Sequence, residues 1–376
     1  MERLQITTIG TGQNTTDVAL TGGEFADDVE RRHVFGTVLS AVFLLIIIVL
    51  SILGNIAVIM AVLKTPRLRE KTSSIFLINL SMTDLSNATL VMPSTLVSLI
   101  AGQWPFGMFW CYAQCAFNYW FIIVSMLTLA MISIDGFYAV IHPLHYMNII
   151  TPKVTKIGIC YAWFQGCVFA LIPAIYRWVV YDYWEVVCAI DWDSYSQDGA
   201  LTYVIVAFVV CFLIPGIVMT YCYTRICRVA RQKAAAAPAE RGGKNARKLI
   251  NDKRVIQSLA LIVAIFFLCM TPFCVTKLIK IFTSTSALPP YLYLVSSWFG
   301  YLASATNPFV YAIFRRDFRR AFANLFCRGR IFPGFATSSQ DATIRMSNTE
   351  HRRRTQVQNN DTNTVTQLTE RIEFQS

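Results

Sequence analysis

One carboxylate stands inside an apolar run: Asp84, in Asn79-Leu80-Ser81-Met82-Thr83-Asp84-Leu85. An ionisable group in such surroundings is costly, which makes it a candidate functional residue. Asn55, Ser125, Ser304 and Asn307, from other apolar runs, are its candidate neighbours. A carboxylate ringed by hydroxyl and amide oxygens suits a hard cation such as sodium, the one metal expected, at Asp84. The competing reading is a protonated Asp84 serving as a hydrogen-bonded structural knot. Enzyme chemistry lacks its parts. His33, His142, His145 and His351 have no metal or triad spacing, and there is no Gly-rich phosphate loop. Neither catalysis nor an organic cofactor is expected.

The elements that position these residues follow from composition. The 376 residues are 55% hydrophobic and 15% charged, with mean hydropathy +0.47. Soluble domains carry about 25% charged residues, so a soluble enzyme, a disordered scaffold, a collagen and a disulfide mini-protein are all disfavoured. A membrane helix needs about 20 mostly apolar residues. Seven stretches qualify: 35–63, 73–100, 108–140, 154–176, 200–226, 255–281 and 291–314. The predicted fold is an all-α membrane protein, a seven-transmembrane helix bundle. A tail over 1–34 precedes the bundle at 35–314, and residues 315–327 and a polar, disordered tail at 328–376 follow it.

The formal charge of +11 is distributed by side. Lys64, Arg67, Arg69 and Lys71 follow span one, ten bases lie between Arg225 and Arg254, and Arg315, Arg316, Arg319 and Arg320 follow span seven. Asp182, Glu185, Asp191, Asp193 and Asp198 lie on the other side. Basic loops stay cytosolic, so the N-terminus is expected outside and the C-terminus inside. The basic excess then faces anionic lipid and a cytosolic partner, not nucleic acid. Met1–Glu30 has no apolar signal region, so span one is expected to insert itself. Asn14 heads an outer glycosylation sequon, Asn14-Thr15-Thr16. Of eleven cysteines, Cys111 and Cys188 fall on the outer side, where an oxidising exterior permits a bridge. Cys327, after a basic amphipathic segment, is a palmitoylation candidate. Pro215, Pro272 and Pro308 each remove a backbone hydrogen bond from a span and kink it.

The ordered set of residues resembles a rhodopsin-like (class A) G-protein-coupled receptor. It comprises Gly54-Asn55, the run around Asp84, Trp104-Pro105-Phe106-Gly107, Trp163 and Pro173, Pro215 and Tyr223, Pro272, and Asn307-Pro308-Phe309-Val310-Tyr311. The resemblance covers roughly 35–327, and its texture is that of the amine, melatonin and related orphan branches. It implies a Cys111–Cys188 disulfide and a short amphipathic eighth helix after span seven. It further implies a plasma-membrane, multi-pass receptor acting through heterotrimeric G protein and arrestin. The activation switch would comprise Asp135, Gly136, Phe137, Tyr223, Asp252, Phe266, Met270, Pro272, Pro308 and Tyr311.

The chain departs from that pattern in three places. The family's Asp-Arg-Tyr is Asp135-Gly136-Phe137, and Asp252 loses the Arg that it would face. Met270 replaces the Trp two residues before the span-six Pro. Ala303 replaces an Asn near the sodium site. The missing Arg implies atypical or constitutive coupling, or a non-signalling decoy or scaffold of the same fold.

By the same resemblance, ligands enter from outside between spans three, five, six and seven. The slot where amine receptors carry an Asp is Asn118, which disfavours a monoamine. The slot where opsins carry the retinal Lys is Tyr301, which excludes a retinal opsin. The remaining wall is Tyr119, Ile122, Phe273, Ser297 and Trp298, with Lys277 at the rim, and suits a small, largely neutral ligand. Lys277 is expected to snorkel into water or headgroups rather than pair with an acidic group, and the acidic outer loop to be solvated rather than to attract a basic peptide or amine. Thr337, Ser338, Ser339, Thr343, Ser347 and Thr349 are phosphorylation candidates for arrestin recruitment.

Overall fold

The computed structural model describes the backbone over 15–191, 199–235, 244–282 and 288–327. Side chains are described over 36–191, 199–232, 260–280, 288–289 and 291–325. Asn14, Asp193, Asp198, Glu240 and the tail phosphorylation sites lie outside the described residues, as do the side chains of Asp252 and Cys327.

Seven long helices form where the apolar runs predict them. Span one is the end of a helix, Thr15–Lys64, that starts well before the predicted boundary. Span two is two helices, Ser73–Leu90 and Met92–Ala101, broken at Val91. Pro93 explains the break, since it cannot donate a backbone hydrogen bond and its ring crowds the preceding turn. Span three is Gly107–Ile141 and span four Pro152–Ile175. Span five starts as Ala200–Phe208, widens into a π-helical turn at Val209–Leu213 and resumes as Ile214–Ala235. Pro215 sits just after that turn. Span six is Lys244–Phe282 and span seven Pro290–Phe314. Among the described residues, six of these helices are long and apolar enough to cross a membrane. Span seven has the length, but Ser296, Ser297, Ser304, Thr306 and Asn307 dilute its apolar character. The amphipathic helix Arg316–Cys327 follows, burying Phe318 and Ala321 while Arg319 and Arg320 stay exposed. Compact unit one is Met1–Phe322; of unit two, Ala323–Ser376, only the last helical turns are described.

The bundle inverts the soluble pattern. Leu39, Ile100, Phe164, Leu268 and Ile313 are exposed, while Ser51, Asn55, Thr83, Ser98 and Thr128 are fully buried. With lipid as the solvent, helices associate through close packing and internal polar bonds. Asn79 is one such node. Its Nδ2 donates to Thr128 Oγ1 and its Oδ1 accepts from Trp163 Nε1, each at 2.8 Å, joining spans two, three and four. Close approach fixes Gly54: a Cβ there would lie 2.8 Å from Pro308 Cγ, so spans one and seven meet only over a glycine.

Candidate functional site

A two-stranded hairpin roofs one end of the bundle. Strand β1 (Val179–Asp182) pairs antiparallel with β2 (Val187–Ile190), with Val179 opposite Ile190 and Asp182 opposite Val187. Cys188 is bonded to Cys111 of span three, with Cα atoms 5.4 Å apart. The Cys188 N–H donates to Gln114 Oε1 at 2.8 Å, and Gln114 Nε2 donates to Ser94 and Thr95 of span two. Thr95 in turn shares a hydroxyl contact with Tyr301 of span seven at 3.2 Å. One polar chain thus links the hairpin to spans two, three and seven.

The turn of the hairpin carries the largest departure from the sequence expectation. Asp182 Oδ1 accepts from the N–H groups of Trp184 and Glu185, closing a tight turn that puts Glu185 inward at 1% exposure. Glu185 Oε2 accepts from Lys277, and Oε1 from Lys280 at 2.6 Å; Lys280 also reaches Asp182. Lys277 and Lys280 are only 9% and 4% exposed. Lys277 therefore does not snorkel, and this part of the acidic loop is not solvated. The two lysines, three residues apart on one helical face, meet two carboxylates of the hairpin, so the buried charges balance. Phe273 and Tyr293 lie beneath the two ammonium groups, at 5.2 and 4.4 Å. Burial alone would push the Asp182 carboxyl up, but the Lys280 ion pair outweighs it and holds the group below the usual carboxylate range. The i, i+3 spacing of the lysines was visible in the sequence; their acidic partners depend on a turn that only the fold sets.

Below the hairpin lie two small chambers, each of about 10 Å³, room for about one water. The upper is lined by Asn87, Asn118, Ile122, Val187, Phe273, Ser297, Gly300 and Tyr301. Five of the eight predicted ligand residues thus come together, and Val187 of the hairpin joins them in the wall. The other three do not line it. Tyr119 packs under the hairpin near Trp178 and Ile190, Trp298 turns toward Phe43 of span one at 5.7 Å, and Lys277 belongs to the ion cluster. Asn87, Val187 and Gly300 were not foreseen. Asn87 could have been, because it stands three residues after Asp84 on the same helical face. The Asn118 and Asn87 side-chain oxygens are buried and accept no hydrogen bond among the described residues.

The lower chamber brings together Asp84, Ser125, Ser304 and Asn307, with Phe266, Met270 and Ala303 also in its wall. Asn307 Nδ2 donates to Asp84 Oδ2 at 2.8 Å. Asn55 stands just outside, donating to the main-chain oxygens of Ser51 and Ser304. The donor set, one carboxylate with hydroxyl and amide oxygens, fits a hard monovalent cation.

At the opposite end, Asp135 accepts from Tyr146 at 2.8 Å. Phe137 packs on Tyr221 of span five, with ring centres 6.0 Å apart. The Tyr223 and Tyr311 hydroxyls and Arg315 Nε are buried without a hydrogen-bond partner among the described residues. Arg315 lies 5.0 Å over Phe318, and burial lowers its pKa from the usual arginine value. Of the predicted switch residues, Phe266 and Met270 line the lower chamber, Asp135, Phe137, Tyr223 and Tyr311 gather toward this opposite end, Pro308 packs on Gly54, and the Asp252 side chain is outside the described residues.

A helical bundle with a disulfide-tied hairpin at one end, a polar chamber at Asp84 and a proline inside span seven is the architecture of a membrane receptor. Residues 54–311 match the model of the family described as 7 transmembrane receptor (rhodopsin family). The chain belongs to that family and is a receptor, not an enzyme. It is 32% identical over 329 residues to the D(1) dopamine receptor of Carassius auratus, covering 79% of this chain and 90% of that one. It is 29% identical over 326 residues to the 5-hydroxytryptamine receptor 4 of Cavia porcellus, covering 80% and 83%. Squid rhodopsin has a similar fold, with a TM-score of 0.67 at 25% identity, covering 76% of this chain and 79% of that one.

Proposed function

We propose that the chain is a plasma-membrane receptor, N-terminus outside, that passes an extracellular signal to heterotrimeric G protein and arrestin without the span-three arginine. The Asp135–Tyr146 hydrogen bond carries this reading. In the family the Asp pairs with the following Arg; here Gly136 offers no side chain, and Tyr146 of the adjoining loop takes the carboxylate instead. The resting contact is therefore local to span three and its loop, leaving span six free of an arginine lock. Coupling then rests on Tyr223, Tyr311, Arg315 and the basic segment between spans five and six. Phosphates on the tail would recruit arrestin, a glycan on Asn14 would mark the outer tail, and a lipid on Cys327 would anchor the inner one.

The ligand is small, largely neutral and not a monoamine, although the relatives named above bind amines by name. Asn118 supplies an unpaired carbonyl oxygen where an ammonium would need a carboxylate. Entry requires Val187 to leave the upper chamber, so binding is coupled to the hairpin and its ion cluster. A ligand shifts the receptor only by preferring the displaced arrangement. The lower chamber is the sodium site.

Ligand-free signalling of the native chain and Gly136→Arg, read across G-protein families and arrestin at matched surface expression, tests this reading. Basal output from the native chain, altered in Gly136→Arg, is expected. Silence in the native chain, with output restored by Gly136→Arg, would replace it with the second reading, a decoy disabled at Gly136.

A further inference from the structure

A further cavity, between spans five and six, has no part in the function above. It is a groove of about 600 Å³ lined by Phe212, Leu213, Gly216, Ile217, Thr220, Tyr221, Thr224, Arg225 and Arg228 of span five and Phe267 of span six. The span-five residues recur every three or four positions and form one stripe along the helix. From Phe212 to Arg228 the stripe runs about 24 Å at 1.5 Å per residue. That exceeds half of a hydrocarbon core about 30 Å thick, so it spans one leaflet and reaches the headgroups.

The chemistry of the stripe is graded. Phe212, Leu213, Ile217 and Phe267 make its deep end apolar. Gly216 keeps the floor open, since a Cβ there would stand 3.3 Å from Phe267 Cζ. Thr220 and Thr224 spend their hydroxyls on the main-chain oxygens of Gly216 and Thr220, at 2.8 and 2.6 Å. Their methyl groups then continue the apolar wall. At the far end Arg225 and Arg228 are exposed, three residues apart on one face, and neither pairs with an acid among the described residues.

We propose that this groove binds one anionic glycerophospholipid of the cytosolic leaflet. Its phosphate would lie between Arg225 and Arg228, and an acyl chain along Phe212, Gly216, Ile217 and Phe267. Guanidinium forks match phosphate oxygens in pairs, and the apolar length above them matches one chain. The assignment of leaflet rests on the orientation proposed above; the binding itself does not. Tyr221 lies in the groove wall and packs at a tilt against Phe137, so the lipid touches the span-three motif through a single ring.

The test is native mass spectrometry of the full chain, purified in detergent with equal phosphatidylserine and phosphatidylcholine, counting retained lipids. Signalling is not read, so failure of the functional proposal would not affect the outcome. The double variant R225Q/R228Q is expected to retain phosphatidylserine roughly thirtyfold less, the factor for about 1 kcal/mol from each arginine, with phosphatidylcholine unchanged. I217W, which fills the groove from its lipid side, is expected to lower retention of both. R319Q/R320Q, on the amphipathic helix, removes equal charge elsewhere and is expected to change neither. Unchanged phosphatidylserine in R225Q/R228Q, or an equal loss in R319Q/R320Q, would overturn the site. So would unchanged retention in I217W, which would show that no chain lies in the groove.

Discussion

At Asn118 one atom separates an amide from a carboxylate, and the proposed class of ligand turns on that atom. The buried side-chain oxygen of Asn118 has no partner among the described residues, so it is available to a neutral donor. Asn118→Asp puts a charge at the same place. A charge-assisted hydrogen bond contributes about 1.5–3 kcal/mol, so dopamine or serotonin binding to Asn118→Asp should tighten by roughly tenfold or more. Radioligand competition would show it, and equal affinity in both proteins would mean that the chamber does not contact amines. Asp84 raises a parallel question one turn deeper. If Asp84, Ser125, Ser304 and Asn307 hold sodium, replacing potassium with sodium should raise the melting temperature of the purified receptor. Asp84→Asn should abolish that difference while keeping the Asn307 contact as an amide pair. A melting curve indifferent to the cation in the native chain would leave Asp84 as a structural knot.

At the scale of elements, the hairpin is held by three ties of different chemistry: the disulfide, the Gln114 chain and the ion cluster. The cluster is the one that responds to pH. Asp182 titrates below its ordinary value, so its stabilisation is complete at neutral pH and is lost as the pH falls through that lowered value. Native receptor should therefore lose melting temperature on acidification, and Asp182→Asn should lose less in that window. Glu185→Gln should cost more at neutral pH, roughly 3 kcal/mol, because it strands two buried ammonium groups on one carboxylate. Differential scanning fluorimetry across pH distinguishes the two. A Glu185→Gln protein as stable as native would mean that the cluster is solvated after all.

These ties also show what the sequence could and could not announce. The spans were legible because apolar length is a local property, and the Asp84 chamber because an intramembrane carboxylate has few neighbours. The ion cluster was not. Lys277 and Lys280 lie about ninety residues from Asp182 and Glu185, and only the Asp182 turn brings Glu185 inward. Val187 was missed for the same reason: which strand residue points down is settled by hairpin register.

For the whole molecule, these pieces define two arrangements that a ligand could choose between. With the hairpin down, Val187 lines the upper chamber and Cys115, 1% exposed, lies sealed against Cys111, Cys188 and Val179. With the hairpin displaced, the chamber opens to the exterior and that thiol comes within reach of water. Cys115 thus reports on the lid without touching either the ion cluster's carboxylates or the inner face. A membrane-impermeant maleimide, followed by peptide mass spectrometry, should leave Cys115 unmodified in the native receptor over times that label the exposed Cys227 when the reagent is given access to the side carrying Arg225 and Arg228. In Glu185→Gln, with the disulfide intact, Cys115 labelling should rise several-fold, because the hairpin is then held by the disulfide, the Gln114 chain and only the Lys280–Asp182 remnant of the ion cluster. If pocket opening and signalling are linked, a ligand that raises Cys115 labelling must also change output at the inner end, since only differential affinity for the two arrangements moves the equilibrium. Fast labelling of Cys115 in the native chain would mean that the lid is already open and that the ion cluster does not gate the chamber.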